Sequence, residues 1–110
     1  RIADAFGGVW IHCCGEYARH FDALSRADFT ILGLEIHHPY TPLEQAWDAF
    51  GDRVVYLPYV AQKELSHFDG IEAFVESLAD KPCGRARYWL VAGHEGSDVP
   101  RLKRAAARLG

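Results

Sequence analysis

Four short apolar runs alternate with four amphipathic stretches along this chain, and that alternation limits the folds open to it. The runs cover residues 8–13, 29–36, 53–57 and 87–92, and all are rich in β-branched or aromatic residues. Apolar runs of this length read as strands buried on both faces, the pattern of a parallel sheet. Between and after them, apolar residues recur at helical spacing. Tyr17, Phe21 and Leu24 form one stripe; Leu43, Ala46, Trp47 and Phe50 a second; Ile71, Phe74, Val75 and Leu78 a third; Val99, Leu102, Ala106 and Leu109 a fourth. Punctuation agrees with this reading. Thr41-Pro42-Leu43-Glu44 predicts an N-cap, a first-turn proline and a capping-box glutamate, Gly51 predicts the stop, and Asp69 with Glu72 is a second cap candidate.

The expected fold class is therefore α/β, four βα units with parallel strands. Right-handed crossovers follow from that order. Two architectures fit: a small open sheet with helices on both faces, or half of a (β/α)8 barrel, whose full length is about 250 residues. The chain of 110 residues begins at Arg1 and contains no methionine. We therefore expect a processed, trimmed or partial chain forming a single domain, residues 1–110, and the half-barrel is slightly favoured.

Charge narrows the function classes. Twelve basic and fifteen acidic residues give a net charge of −3, without the clustered basic face of a general nucleic-acid binder. No apolar run approaches the ~20 residues of a membrane helix. Three cysteines, two of them adjacent (Cys13 and Cys14), make a disulfide framework a poor reading, and a reducing cytoplasmic setting is expected. No Gly-x-Ser-x-Gly elbow, P-loop or Gly-x-Gly-x-x-Gly is present.

In either architecture, function belongs at the C-terminal ends of the strands. Histidines and cysteines concentrate there. Strand residues i and i+2 point the same way, so His12 and Cys14 share one face and Cys13 takes the other. Imidazole and thiolate are both zinc ligands. The same pair also fits a buried thiol beside a hydrogen-bonded imidazole. For a third ligand, Cys83 is the softer donor but precedes the fourth strand. His94 follows that strand, on the same rim as His12 and Cys14. Glu35 and His37 share a parity and are candidates for acid/base work or for orienting a ligand; the alternative is a hydrated rim with one structural histidine. His20 and His67 read as surface residues, and Glu95 and Asp98 as favourable charges at the start of the last helix.

The segment Ile11-His12-Cys13-Cys14-Gly15 resembles the I-H-x-C-G strand of the uroporphyrinogen decarboxylase superfamily, and is most similar to its corrinoid/coenzyme M methyltransferase branch. Residues 29–35, 46–57 ("AWDAFGDRVVYL") and 88–102 ("YWLVAGHEGSDVPRL") keep the family's order. The resemblance implies a TIM barrel of which this chain is roughly the C-terminal half. It implies that His12 and Cys14 are two zinc ligands, that His94 stands where a third, a cysteine, is usual, and that zinc activates a thiol for exchange of a corrinoid methyl group. The pair Gly93-His94 is closer to the metal-free porphyrinogen decarboxylases, whose N-terminal half carries key Asp and Arg residues. Pro58-Tyr59 replaces the usual Gly-Asn after the third strand. A small molecule or a corrinoid protein is the implied substrate. Tetrapyrrole decarboxylation is the alternative activity, although the strand ends carry no Arg or Lys for acetate side chains. A non-catalytic binding or assembly module is the third reading, and the isolated chain is expected to be inactive. The open edges of a half-barrel lead to an expected homo-oligomer, with Trp10, Trp47 and Trp89 in its contacts.

Overall fold

A computed structural model of the chain describes residues 2–81 and 98–109. Its centre is a three-stranded parallel sheet of order β1-β2-β3, with β1 at Val9–Ile11, β2 at Ile31–His38 and β3 at Val55–Val60. The helices are α1 (Ile2–Phe6), α2 (Phe21–Ser25), α3 (Leu43–Phe50), α4 (Gly70–Ser77) and α5 (Val99–Ala107). Short 3₁₀ turns cover Ala18–His20, Gly51–Arg53 and Gln62–His67. The α/β class with parallel strands is thus present. The fourth run, residues 87–92, lies outside the described residues.

Strand parity sorts the side chains into two faces. On one, Leu34 and Ile36 of β2 and Tyr56 and Val60 of β3 are almost wholly buried, clustered with Phe21, Leu43, Ala46, Phe50, Ile71, Phe74 and Val75 from the helices. Full burial of each such aliphatic side chain contributes about 2 kcal/mol. Val9, Ile11 and Cys13 pack against the same core. The alternate residues form the opposite face. The pairs Trp10↔Gly33, Glu35↔Leu57 and His37↔Tyr59 put these side chains together with His12. Trp10 is 41% exposed there, and its indole lies so close over Gly33 that a Cβ would sit 2.2 Å from a ring carbon.

The helices follow from their stripes, with local corrections. In α3, Leu43, Ala46 and Phe50 are buried, and Gly51, at φ 56°, ends the helix by donating its N–H to Trp47. Thr41 is not the cap. Pro42 occupies that position without a side-chain bond, and the Thr41 hydroxyl turns back toward Gly15. Asp69 likewise makes no capping bond, and Glu72 accepts from the Asp98 N–H at 2.5 Å, tying α5 to α4. Asp98 does cap α5, its carboxylate accepting from Arg101 N at 2.9 Å. The buried residue of α5 is Ala105, whereas Val99 is 55% exposed. Of the last stripe, Leu102 and Leu109 pack against the core, while Val99 and Ala106 are exposed and Ala105 takes the buried position. Strands β2 and β3 both run further than the apolar pattern indicates, so that His37, His38, Pro58 and Tyr59 lie within the ladder.

Candidate functional site: a Glu–His–Cys chain at the sheet rim

Beyond β1 the chain leaves the ladder at His12 and reaches Cys14 two residues on, both on the open face. Their side chains meet. Nε2 of His12 is 3.0 Å from Cys14 Sγ, while Nδ1 of the same ring is 2.7 Å from Glu35 Oε2. An ionised carboxylate only accepts hydrogen bonds, so Nδ1 carries the proton and donates it to Glu35. That tautomer leaves a lone pair on Nε2 directed at the sulfur, which is the disposition of an imidazole that ligates a metal through Nε2. Cys14 is exposed, whereas Cys13 is half-buried against the core.

The frame around this chain of groups is set by Tyr17 and Thr41. The Tyr17 hydroxyl donates to the backbone carbonyl of Glu35 at 2.5 Å. Burial raises the Tyr17 phenol above its usual value, with Cys13 and Glu35 adding to the shift, so the hydroxyl stays a donor. Thr41, fully buried, donates to the Gly15 carbonyl at 2.8 Å and accepts from Tyr17 N at 3.4 Å. Thr41 N in turn donates to the His37 carbonyl at 3.0 Å. The loop that carries Cys14 is therefore stitched to the end of β2, the strand that carries Glu35.

Further along β2, His37 is 5% exposed and neither ring nitrogen has a hydrogen-bond partner. Its ring packs edge-on against Tyr40, at a centroid distance of 5.3 Å, and at a tilt against Tyr59, at 5.1 Å. The Tyr40 hydroxyl donates to Oε1 of the buried Glu64 at 2.9 Å. His38 points the other way, onto Phe74, and its burial lowers its pKa to about 4. His20 and His67 are exposed.

Of the residues singled out from the sequence, the structure brings His12, Cys14 and Glu35 into direct contact and sets His37 on the same face. Cys83 and His94 lie outside the described residues, as do Trp89 and Glu95. Among the described residues no group of three or more His, Cys, Asp or Glu side chains is disposed to hold a metal ion. His12 Nε2 and Cys14 Sγ fit zinc in kind, as imidazole and thiolate donors with the outer imidazole nitrogen held by a carboxylate, and here they bond each other at 3.0 Å. Sequence reasoning missed Tyr40, Glu64 and the clamping role of Thr41. The 3₁₀ turn bearing Glu64 has no periodic signal, and Thr41 sits in a motif that also specifies a helix cap.

Among the described residues no helix is long and apolar enough to cross a membrane. Comparison with protein-family models, curated proteins and solved structures finds no match for the chain.

Proposed function

We propose that the chain carries the thiol-activating part of a corrinoid-linked methyltransferase of the uroporphyrinogen decarboxylase superfamily, the C-terminal half of its barrel, with zinc held by His12, Cys14 and His94. The single observation that supports this reading is the Glu35–His12–Cys14 chain, in which a carboxylate fixes the imidazole tautomer and presents Nε2 to the thiol. Bound zinc would supply Lewis acidity, lowering the pKa of a substrate thiol so that it reacts as a thiolate at neutral pH.

The residues of the chain do the rest. His12 and Cys14 offer two donors, and Glu35 holds His12 in place. The proton released from the substrate thiol passes to Glu35 or His37, whose buried Oε1 and ring nitrogens have no other partner. The thiolate sulfur would then take the methyl group from a methyl-corrinoid substrate, the S–C bond forming as the Co–C bond breaks, to leave a thioether and the cobalt(I) corrinoid as leaving group. Trp10 and Leu57 supply apolar surface on the same face. The metal-free decarboxylase reading has less support, because Glu35 and Glu64 make the rim acidic where a substrate rich in carboxylates calls for cations.

The test is metal content together with cobalt substitution. The reading expects about one metal per chain, bound under reducing conditions, and a sulfur-to-cobalt charge-transfer band that grows on addition of a thiol. Absence of both contradicts it.

A further inference from the structure

Five buried side-chain atoms among the described residues have no hydrogen-bond partner, and four of them belong to Glu35, His37 and Glu64. Such atoms are costly in a low-dielectric interior, and a cluster of them calls for an explanation. Glu35 Oε1 and the His37 ring share the open face of β2, and Tyr59 joins them from β3. Glu64 follows β3, with Oε1 held by the Tyr40 hydroxyl and Oε2 without a partner. Tyr40 touches both groups, its ring edge-on to His37 and its hydroxyl on Glu64, and is itself 45% exposed, so it stands between them and solvent.

The chemistry of this cluster is one-sided. Both carboxylates are acceptors, and the rings of Tyr40, Tyr59 and His37 present π-faces. Among the described residues the cation beside this cluster is Lys63, whose Nζ pairs with Glu64 Oε1 at 3.6 Å from a side chain that is 81% exposed. A sulfonate or carboxylate entering here would face Glu35 and Glu64. An ammonium group would donate to carboxylate oxygens and lie against aromatic rings, which is how proteins recognise organic cations.

We propose that this rim, built from Glu35, His37, Tyr40, Tyr59 and Glu64, is a recognition site for an organic ammonium group. Combined with the thiol-transfer reading above, on which this step rests, it makes the methyl acceptor an aminothiol. The sulfur then lies toward Cys14 and the ammonium toward β2 and β3.

Two titrations separate the parts. In metal-free protein, ethylammonium is titrated while the His37 ring is followed by long-range ¹H–¹⁵N correlation NMR. Saturable shifts of His37 are expected, weakened about ten-fold in Glu64→Gln and in Tyr59→Leu, with thermal melts showing that both variants fold. In cobalt-substituted protein, cysteamine, 2-mercaptoethanol and 2-mercaptoethanesulfonate, which share a two-carbon spacer, are compared through the sulfur-to-cobalt band. Cysteamine is expected to bind about ten-fold tighter than the neutral thiol, and the sulfonate weakest. No response of His37 to ethylammonium, or sulfonate binding equal to that of cysteamine, overturns the proposal. A His37 response that Glu64→Gln and Tyr59→Leu both weaken, without a thiol band, upholds the ammonium site and overturns the thiol-transfer reading alone.

Discussion

Oε2 of Glu35 accepts the Nδ1 proton of His12 at 2.7 Å, across the gap between the end of β1 and the middle of β2. The carboxylate is largely buried, 13% exposed, while the imidazole it holds is 65% exposed. An exposed ring is thus oriented by a largely buried carboxylate, and its other nitrogen faces Cys14. Replacing Glu35 by Gln keeps an oxygen acceptor but removes the charge that favours this tautomer. The expected result is a folded protein whose zinc affinity falls about 10- to 100-fold, measured by competition with a chromogenic chelator. Unchanged affinity means that Glu35 does not orient His12.

Tyr17 acts at one remove. Its hydroxyl fixes the Glu35 backbone while its ring packs edge-on against Phe21, at a centroid distance of 4.9 Å. Tyr17→Phe keeps the ring and loses the hydrogen bond. A stability loss of about 1–2 kcal/mol in urea unfolding is expected, together with weaker metal binding. A variant that loses stability but binds zinc as before leaves Tyr17 with a packing role only.

Gly33 is required by close approach. A Cβ there would meet three Trp10 ring carbons at 2.2–2.5 Å. Gly33→Ala is expected to displace the indole and cost about 1–3 kcal/mol. Adding Trp10→Leu should recover most of that loss, and a double-mutant cycle from urea midpoints reads the coupling.

His38 gives the fold a pH dependence. Burial is the main cause of its pKa of about 4, against 6.5 for a free histidine. Lys81 and His37 push the same way and Glu44 opposes them, and Phe74 packs against the ring. The unfolded chain therefore binds this proton at higher pH than the folded one. Stability is full above about pH 6.5 and falls as pH drops toward about 4, by roughly 3 kcal/mol at most. Lys81 donates to Glu44 and holds that carboxyl below its usual value, so the Glu44 contribution is lost only lower in the acid range. Urea midpoints across pH 4–7 are expected to slope for the native chain and flatten in His38→Leu. An equal slope in both excludes His38 as the source.

The parts of the fold legible in the sequence are those where one periodicity acts alone. The i, i+2 rule puts His12 and Cys14 on one face and Cys13 on the other, and gives Glu35 and His37 a shared face; that Glu35 meets His12 follows from the pairing of β1 with β2. The apolar stripe of Leu43, Ala46 and Phe50 gives α3 with its Gly51 stop. Strand ends were harder to read, because the ladder between β2 and β3 continues through His37↔Tyr59 and His38↔Val60 after the apolar run has ended. Backbone pairing is blind to side-chain polarity, so polar site residues within a strand look like loop. Thr41 shows a second limit. Thr-Pro-x-Glu satisfies a capping pattern, yet Pro42 takes the cap position and the Thr41 hydroxyl makes a tertiary bond to the Gly15 carbonyl instead. Helix α1 and the turn bearing Glu64 are too short to carry a stripe at all.

The central claim is that His12, Cys14 and His94 hold one zinc ion, and metal content across four proteins tests it most directly. The native chain, reconstituted with zinc under reducing conditions and passed through a desalting column, is expected to retain about one zinc per chain. Cys14→Ser and His94→Ala are expected to lose most of it, and Cys83→Ser to keep it. Loss in Cys83→Ser with retention in His94→Ala would make the cysteine the third ligand instead. A native chain that retains no zinc would contradict the account itself.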